Sequence, residues 1–476
     1  MRQFLTALLL LLISLKIALV LSQGPTEIQL DAKGYWRMSD HVVSGDVLVM
    51  GDHLLEGDAA ETSVPNAYRT PIYPWFLALI RLVSPRPLLT IVAIQGWMTL
   101  ASLLFAGWIA ARISKQASAV NWTLLAALPM LSSYVFAAAI LTESMFTFFL
   151  MLHLLSVLDY AKYDSKRRLV WMSVTFALTL LTRPIVMLVW LPHVVFVLWI
   201  HWRRRNRIGK SNQARVKLHH RFGHALLGAG VVLLLASPWL FRNYQVFGKP
   251  FLTEFVGRNL WIVTFRDGSG AGLELPNTTE SQELQRRLGD VGAAEHWQDT
   301  WKVSRALTKS GLDDAEGDRL MKSVAAAAVV QNQEAFGWKA FRRCINYWRC
   351  TATDLPQQGA DGNYQDEQTW AYNVPYIEKI LSHRFSLSLI GNTVLMFVMI
   401  GACLTLVWKK TSRPYGVWLT LILAYFAVVT GVLEIPDYRY RMVTEPVVAL
   451  VVGAAIATVR GQRNSESVPE TQEAVA

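Results

Sequence analysis

The chain has 476 residues, 53% of them hydrophobic and 17% charged, with a mean hydropathy of +0.28 and a formal net charge of +11. Apolar runs of about 18–23 residues recur along it, each long enough at ~1.5 Å per helical residue to cross ~30 Å of hydrocarbon, and no soluble core needs such a series. The excess of Lys and Arg falls in short loops between the runs, which excludes a nucleic-acid partner in favour of membrane topology.

Residues 4–22 form the first span. Its length, Lys16 and the lack of an A-x-A site make it a retained anchor rather than a cleaved signal. Residues 23–87 form a first hydrophilic loop carrying Asp31, Asp40, Asp46, Asp52, Glu56 and Asp58. The loop ends in an amphipathic stretch, Tyr73 to Val83, expected to lie along the interface as a helix with aromatic anchors. Spans follow near 88–111, 120–138, 142–158, 169–182, 185–201 and 224–241. A second, larger hydrophilic segment covers 242–385, with helical spacing and an alanine run at 313–350 and a looser stretch from Gly359 to Asn363. Spans near 386–408, 415–433 and 442–459 complete the membrane region, and the polar tail after Arg463 is expected to be disordered.

The expected fold is therefore all-α, a polytopic transmembrane helical bundle of about ten spans with an outer interface helix and a mostly helical exterior segment. Its divisions are 1–241, 242–385, 386–463 and 464–476. Among the cysteines Cys344, Cys350 and Cys403 there is no zinc-like spacing, and Cys344 and Cys350 could bridge or remain thiols.

Alternation puts five basic loops on one side: Arg112 to Lys115, Lys162 to Arg168, Arg203 to Arg221, Lys409 to Arg413, and Arg460 to Arg463. By the positive-inside rule that side is cytoplasmic and holds both termini. Both hydrophilic segments then face outward. So do a set of polar residues at span ends: Asp31, Tyr35, Arg69, Tyr73, Glu143, Arg183, Arg242, Arg439 and Arg441. Charges near lipid are costly and are usually kept for function. His219-His220-x3-His224 lies in a cytoplasmic loop, on the wrong side to serve this site as a metal centre.

Each of these residues has a bland reading beside the chemical one. Asp31 could be a solvated loop carboxylate or a general base. Arg69 could snorkel at the interface or contact a phosphate. Glu143 could complement a helix N-terminus or touch substrate. Arg183 and Arg242 could anchor helix ends, and Arg439 and Arg441 could pair with Glu434, Asp437 or Glu445 instead of an anion. Lys16, inside the first span, could pair with a carboxylate or snorkel.

The order and placement of the motifs favour chemistry. Asp31 with Tyr35, Arg69-Thr70-Pro71-Ile72-Tyr73-Pro74, Thr142-Glu143, Thr182-Arg183-Pro184, Pro238-Trp239-x2-Arg242-Asn243-Tyr244 and Tyr438-Arg439-Tyr440-Arg441 with Pro446 follow one another along the chain. In this arrangement the chain resembles the polyprenyl-phosphate-dependent membrane glycosyltransferases of the GT-C class, over nearly its whole length to about residue 460. The nearest branch groups protein O-mannosyltransferases with aminoarabinose and lipopolysaccharide-core sugar transferases. Many members carry paired acids in the first loop, whereas here Asp31 follows Leu30 and stands alone.

The resemblance implies an inverting glycosyltransferase with a polyprenyl-phosphate sugar as donor and a glycolipid, polysaccharide or protein as acceptor. It implies an active site on the outer, periplasmic face of a bacterial plasma membrane. Asp31 would be the catalytic base, with Tyr35, Arg69, Tyr73, Glu143, Arg183, Arg242, Arg439 and Arg441 binding substrate. No cofactor is indicated, and a divalent metal, though compatible with the class, is not indicated either. A polytopic transporter or a lipid-linked sugar flippase is the alternative, opposed by the lack of an inverted pair of broken helices.

Overall fold

The computed structural model describes residues 2–22, 30–48, 50–54, 63–130, 132–208, 214–266, 272–349, 384–435 and 438–466. Glu56, Asp58, Cys350, the stretch from Gly359 to Asn363, Asp437 and the tail beyond residue 466 lie outside the described residues.

The chain begins with α1 (Arg2–Leu21) and α2 (Leu30–Ser44), then a two-stranded antiparallel hairpin of β1 (Gly51–Leu54) and β2 (Ser63–Pro65). The membrane region continues through α3 (Ile72–Val83), α4 (Pro87–Ser114), α5 (Ala119–Ala127), α6 (Ser132–Val135), α7 (Glu143–Tyr163), α8 (Lys166–Thr182), α9 (Trp190–Ile208) and α10 (Ala214–Phe247). The second hydrophilic segment supplies α11 (Val256–Trp261), α12 (Thr279–Asp290), α13 (Thr300–Lys309), α14 (Asp314–Gln331) and α15 (Gln333–Arg349). The last helices are α16 (Arg384–Trp408), α17 (Arg413–Leu433), α18 (Tyr438–Met442) and α19 (Glu445–Glu466).

Among the described residues eight helical stretches are long and apolar enough to cross a membrane: seven lie in α1, α4, α7, α10, α16, α17 and α19, and one runs from Pro184 into α9 as far as Arg203. The protein is a polytopic helical membrane protein. Two expected spans take other forms. The span near 169–182 is the 17-residue helix α8, and the span near 120–138 is broken.

That break has a local cause. Pro129 has no N–H to continue the helical hydrogen bonds and its ring crowds the carbonyl one turn back, so α5 stops after nine residues. The Leu128 carbonyl accepts a hydrogen bond from the Lys16 amine, which also sits 4.8 Å from the Tyr134 ring centre. Lys16 thus satisfies a helix end. The irregular stretch that follows is enclosed by protein, as backbone at membrane depth must be. Gln95 donates its amide to the carbonyls of Ala137 (3.0 Å) and Ala139 (2.7 Å), and those residues are buried.

The centre of the bundle is α4, α5, α7 and α19, where Phe146, Leu150, Leu124, Val447 and Leu450 are fully buried. Around it, α1, α10 and α16 present Leu15, Leu234 and Phe397 to the surroundings, which suits a lipid-facing shell. The α3 helix is amphipathic in the expected way, with Tyr73 and Leu77 buried and Trp75, Leu79 and Leu82 exposed.

The second hydrophilic segment has its own core of Trp261, Leu284, Leu307, Met321 and Val324. Caps set its helices: Asp299 accepts from the N–H groups of Trp301 and Lys302, and Asp313 with Glu316 forms a capping box on α14. It joins the membrane bundle through α15, whose Arg343 donates to the Gly431 carbonyl of α17 at 2.6 Å. A Cβ at Gly431 would lie 2.3 Å from Cys344 Sγ, so this close helix approach requires glycine.

Candidate functional site

Five charged side chains from separated parts of the sequence meet at one end of the bundle. Asp31 lies in the first turn of α2, and Gly34 and Tyr35 share its helical face at i+3 and i+4. Arg69 is presented by a turn in which Asn66 Oδ1 accepts from the N–H groups of Tyr68 (2.9 Å) and Arg69 (2.7 Å). Its guanidinium donates to Asp31 Oδ1 at 2.9 Å and sits 4.1 Å from the Tyr35 ring centre and 5.2 Å from that of Tyr68. Gly34 makes this fit. A Cβ there would lie 2.7 Å from Arg69 Nη2, which accounts for a helix-weakening glycine in α2.

Arg439, from the short helix α18, joins two carboxylates. It donates through Nη1 to Asp31 Oδ2 at 2.6 Å and through Nε to Glu143 Oε1. Glu143 also accepts from Arg183 Nη1 at 2.9 Å, and Arg183 lies 5.5 Å from the Tyr440 ring centre. The order is Arg69–Asp31–Arg439–Glu143–Arg183. Three guanidiniums against two carboxylates leave one positive charge among these five side chains.

The two acids differ in access. Glu143 has no exposed side-chain surface, whereas Asp31 keeps 40% of its own. Burial pushes the Asp31 carboxyl up, but the Arg439 and Arg69 charges outweigh it and hold the group well below the ordinary carboxylate range. In this arrangement Asp31 is an accessible anion and a weak base.

Tyr73 supports the cluster from beneath. Its hydroxyl donates to Gln95 Oε1 at 2.8 Å, and its ring meets that of Tyr35 edge-on at 5.2 Å. Arg242 and Arg441 are placed differently from the five. Arg242 donates to the carbonyls of Leu48 (2.9 Å) and Asn66 (2.8 Å) and to Asn243 Oδ1 (2.8 Å), so it holds the loop that carries Arg69. Arg441 donates to Glu445 Oε1 at 3.2 Å, one turn along, and Glu445 also accepts from Ser133 Oγ at 2.7 Å. Among the described residues no three His, Cys, Asp or Glu side chains converge in a metal-binding geometry.

Sequence reasoning passed over Asn66, Gly34 and Gln95. Two of them carried a signal. A glycine three residues after a helix-starting aspartate marks a close approach, and Asn three residues before Arg69 marks a side-chain-capped turn.

The chain is similar to several solved structures. One is the archaeal oligosaccharyltransferase AglB from Archaeoglobus fulgidus, in complex with an inhibitory peptide and a dolichol-phosphate, at TM-score 0.44 and 11% identity over 98% of this chain and 52% of that one. The chain therefore spans about half the length of that protein. Others are ArnT from Cupriavidus metallidurans bound to undecaprenyl phosphate (TM-score 0.37, 14% identity, 99% of this chain and 80% of that one) and the same protein in the apo state (TM-score 0.38, 14% identity, 98% and 81%). Neither a family model nor a curated protein matches the chain. At this level of likeness, function is read from the site's own chemistry.

Proposed function

We propose that the protein is an inverting glycosyltransferase that moves a sugar from a polyprenyl-phosphate donor to an acceptor at the outer face of a membrane. The supporting observation is the Arg69–Asp31–Arg439–Glu143–Arg183 chain at one end of an apolar bundle, with its excess positive charge and its one accessible carboxylate. A phosphodiester carries one negative charge, and guanidinium is the side chain suited to bind it through paired N–H groups.

The reaction balances on these residues. An acceptor hydroxyl or amine forms the new bond at the anomeric carbon from the side opposite the phosphate, and its proton passes to Asp31. The bond between anomeric carbon and phosphate oxygen breaks, and its electron pair leaves with the lipid phosphate, whose growing charge the arginines stabilise. Donor binding also readies the base. A phosphate that draws Arg69 or Arg439 toward itself relieves Asp31 of opposing charge and raises its proton affinity.

The donor's lipid tail would lie between helices facing the bilayer, and the acceptor would be a glycolipid, a polysaccharide or a protein. Purified protein in detergent, given radiolabelled polyprenyl-phosphate sugar and candidate acceptors, should transfer label with release of the lipid phosphate. Counterflow of intact donor across liposomes without bond cleavage would replace this reading with a flippase.

A further inference from the structure

The turn bearing Arg69 is held largely from the second hydrophilic segment. Its backbone groups are taken up one after another. The Ala67 N–H donates to Asp314 Oδ2 at 2.8 Å, the Ala67 carbonyl accepts from the Glu254 N–H at 2.9 Å, and the Tyr68 carbonyl accepts from Thr253 Oγ1 at 2.8 Å. The Tyr68 ring stacks on Phe255 at 5.0 Å. Arg242, from the membrane region, takes the Asn66 carbonyl.

Asp314 is the carboxylate in this grip, and it is itself braced. Its other oxygen accepts from Arg258 Nη2. The fully buried Arg258 also donates to Ser304 Oγ through Nε (3.0 Å) and Nη2 (2.9 Å), and lies 5.2 Å from the Tyr68 ring centre. A neighbouring acid provides a contrast. Asp318 accepts from the N–H groups of Gly257 and Arg258, both at 2.9 Å, and from Arg258 Nη1 at 3.3 Å, so it caps α11 and pairs with the same guanidinium, with all of these contacts inside the segment. Asp314 reaches 247 residues back along the chain to the turn, whereas Asp318 reaches the start of α11.

We infer that Asp314 is a positioning residue for the phosphate site: anchored by Arg258, it fixes the Asn66–Arg69 turn so that the Arg69 guanidinium meets Asp31 and an incoming lipid phosphate. This rests on the proposed function, because it takes Arg69 to be a phosphate ligand. Positioning of this kind matters because a charge-assisted hydrogen bond is directional, and a shift of a fraction of an ångström at the backbone is amplified along a long side chain.

The test titrates the purified full-length protein in detergent with undecaprenyl phosphate, following tryptophan fluorescence, with the thermal midpoint recorded for every variant. R69A should weaken binding ~10–100-fold, as loss of a charge-assisted contact does. D314A should weaken it by a similar factor, and the R69A/D314A double variant should bind no worse than R69A, because both changes remove the same contact. D314N, which keeps an acceptor for the Ala67 N–H, should fall between wild type and D314A. E283Q, at the Arg286 and Arg287 ion pairs elsewhere in the segment, should keep near wild-type affinity.

Losses that multiply in the double variant, or wild-type affinity in D314A, would overturn the inference; if D314A does not fold, the same rule applies to D314N and its double with R69A. Failure of the wild-type protein to bind undecaprenyl phosphate would overturn the reading beneath it as well. The two failures are therefore distinguishable.

Discussion

The two ends of the helical bundle are both rich in arginine, yet they treat it differently. At one end Arg112 and Arg168 share Asp159 at 2.7 and 3.1 Å while keeping 50% and 45% of their side-chain surface exposed, and Arg203 donates to the Lys410 carbonyl. At the other end Arg69, Arg183 and Arg439 are drawn inward onto Asp31 and onto a Glu143 that has no exposed surface. Exposed pairs in water are worth little and are screened by salt. A buried bridged set is costly to desolvate, so its members depend on one another. Abundance of cations marks a side of a membrane. Burial and bridging of cations by acids mark a site.

The largest expected effect is catalytic. Asp31→Asn keeps size and hydrogen-bonding capacity but removes the proposed base, so turnover should fall by on the order of 10²–10⁴. Undecaprenyl phosphate should bind the variant as well as wild type or better, because a carboxylate competing for Arg69 and Arg439 is gone. Near wild-type transfer by well-folded Asp31→Asn would remove Asp31 as the base and point to another acid.

Arg439→Ala comes next and tests whether the bridge is structural as well. It strips one partner from the fully buried Glu143, and breaking a buried pair typically destabilises by about 3–5 kcal/mol. Denaturation should show a loss near that size, while Arg112→Ala at the opposite end should cost only about 0–1 kcal/mol and less in high salt. Equal effects at the two ends would abolish the contrast drawn above.

Gly34→Ala should sharpen it further. Alanine favours helix by ~1 kcal/mol over glycine, but its Cβ would press on the Arg69 guanidinium. Overpacking of this kind usually costs about 1–3 kcal/mol. The prediction is a weaker affinity for undecaprenyl phosphate with little gain in thermal midpoint; a stabilised variant with unchanged affinity would contradict the packing described.

The smallest effect concerns pH. Because the folded pKa of Asp31 is depressed below its unfolded value near ~3.9, its ion pairs contribute stability that is fully present above about pH 4 and lost as pH falls through the folded pKa. The difference in thermal midpoint between wild type and Asp31→Asn should therefore be flat from about pH 5 to 8 and close in stronger acid. Its size should be modest, since the carboxylate is part exposed. A difference that instead grew on acidification would reverse the assigned sign.

Much of the architecture was legible in the order of residues. Long apolar runs separated by basic loops placed the helices, because hydrocarbon thickness fixes their length and no water inside a bilayer can satisfy an open backbone. The alternating apolar face of α3 and the breaks at Arg183-Pro184 were equally plain. Hydropathy hides the break after α5, because the apolar run outweighs the single Pro129, and the sequence does not choose a partner for Lys16, because that partner is a carbonyl 112 residues away.

The sequence alone determined which side chains stand at helix ends and that several are charged, since local periodicity and composition suffice for both. It did not determine which of them meet. Asp31 and Arg439 are 408 residues apart, and Arg441, two residues further, turns instead to Glu445. Arg242 and Arg69 looked alike as interface arginines, yet one braces a loop and the other faces a carboxylate. Only the packing of the helices decides such partnerships, because a guanidinium at a span end binds whichever oxygen the assembled bundle brings within reach, and that geometry is a property of all the helices together.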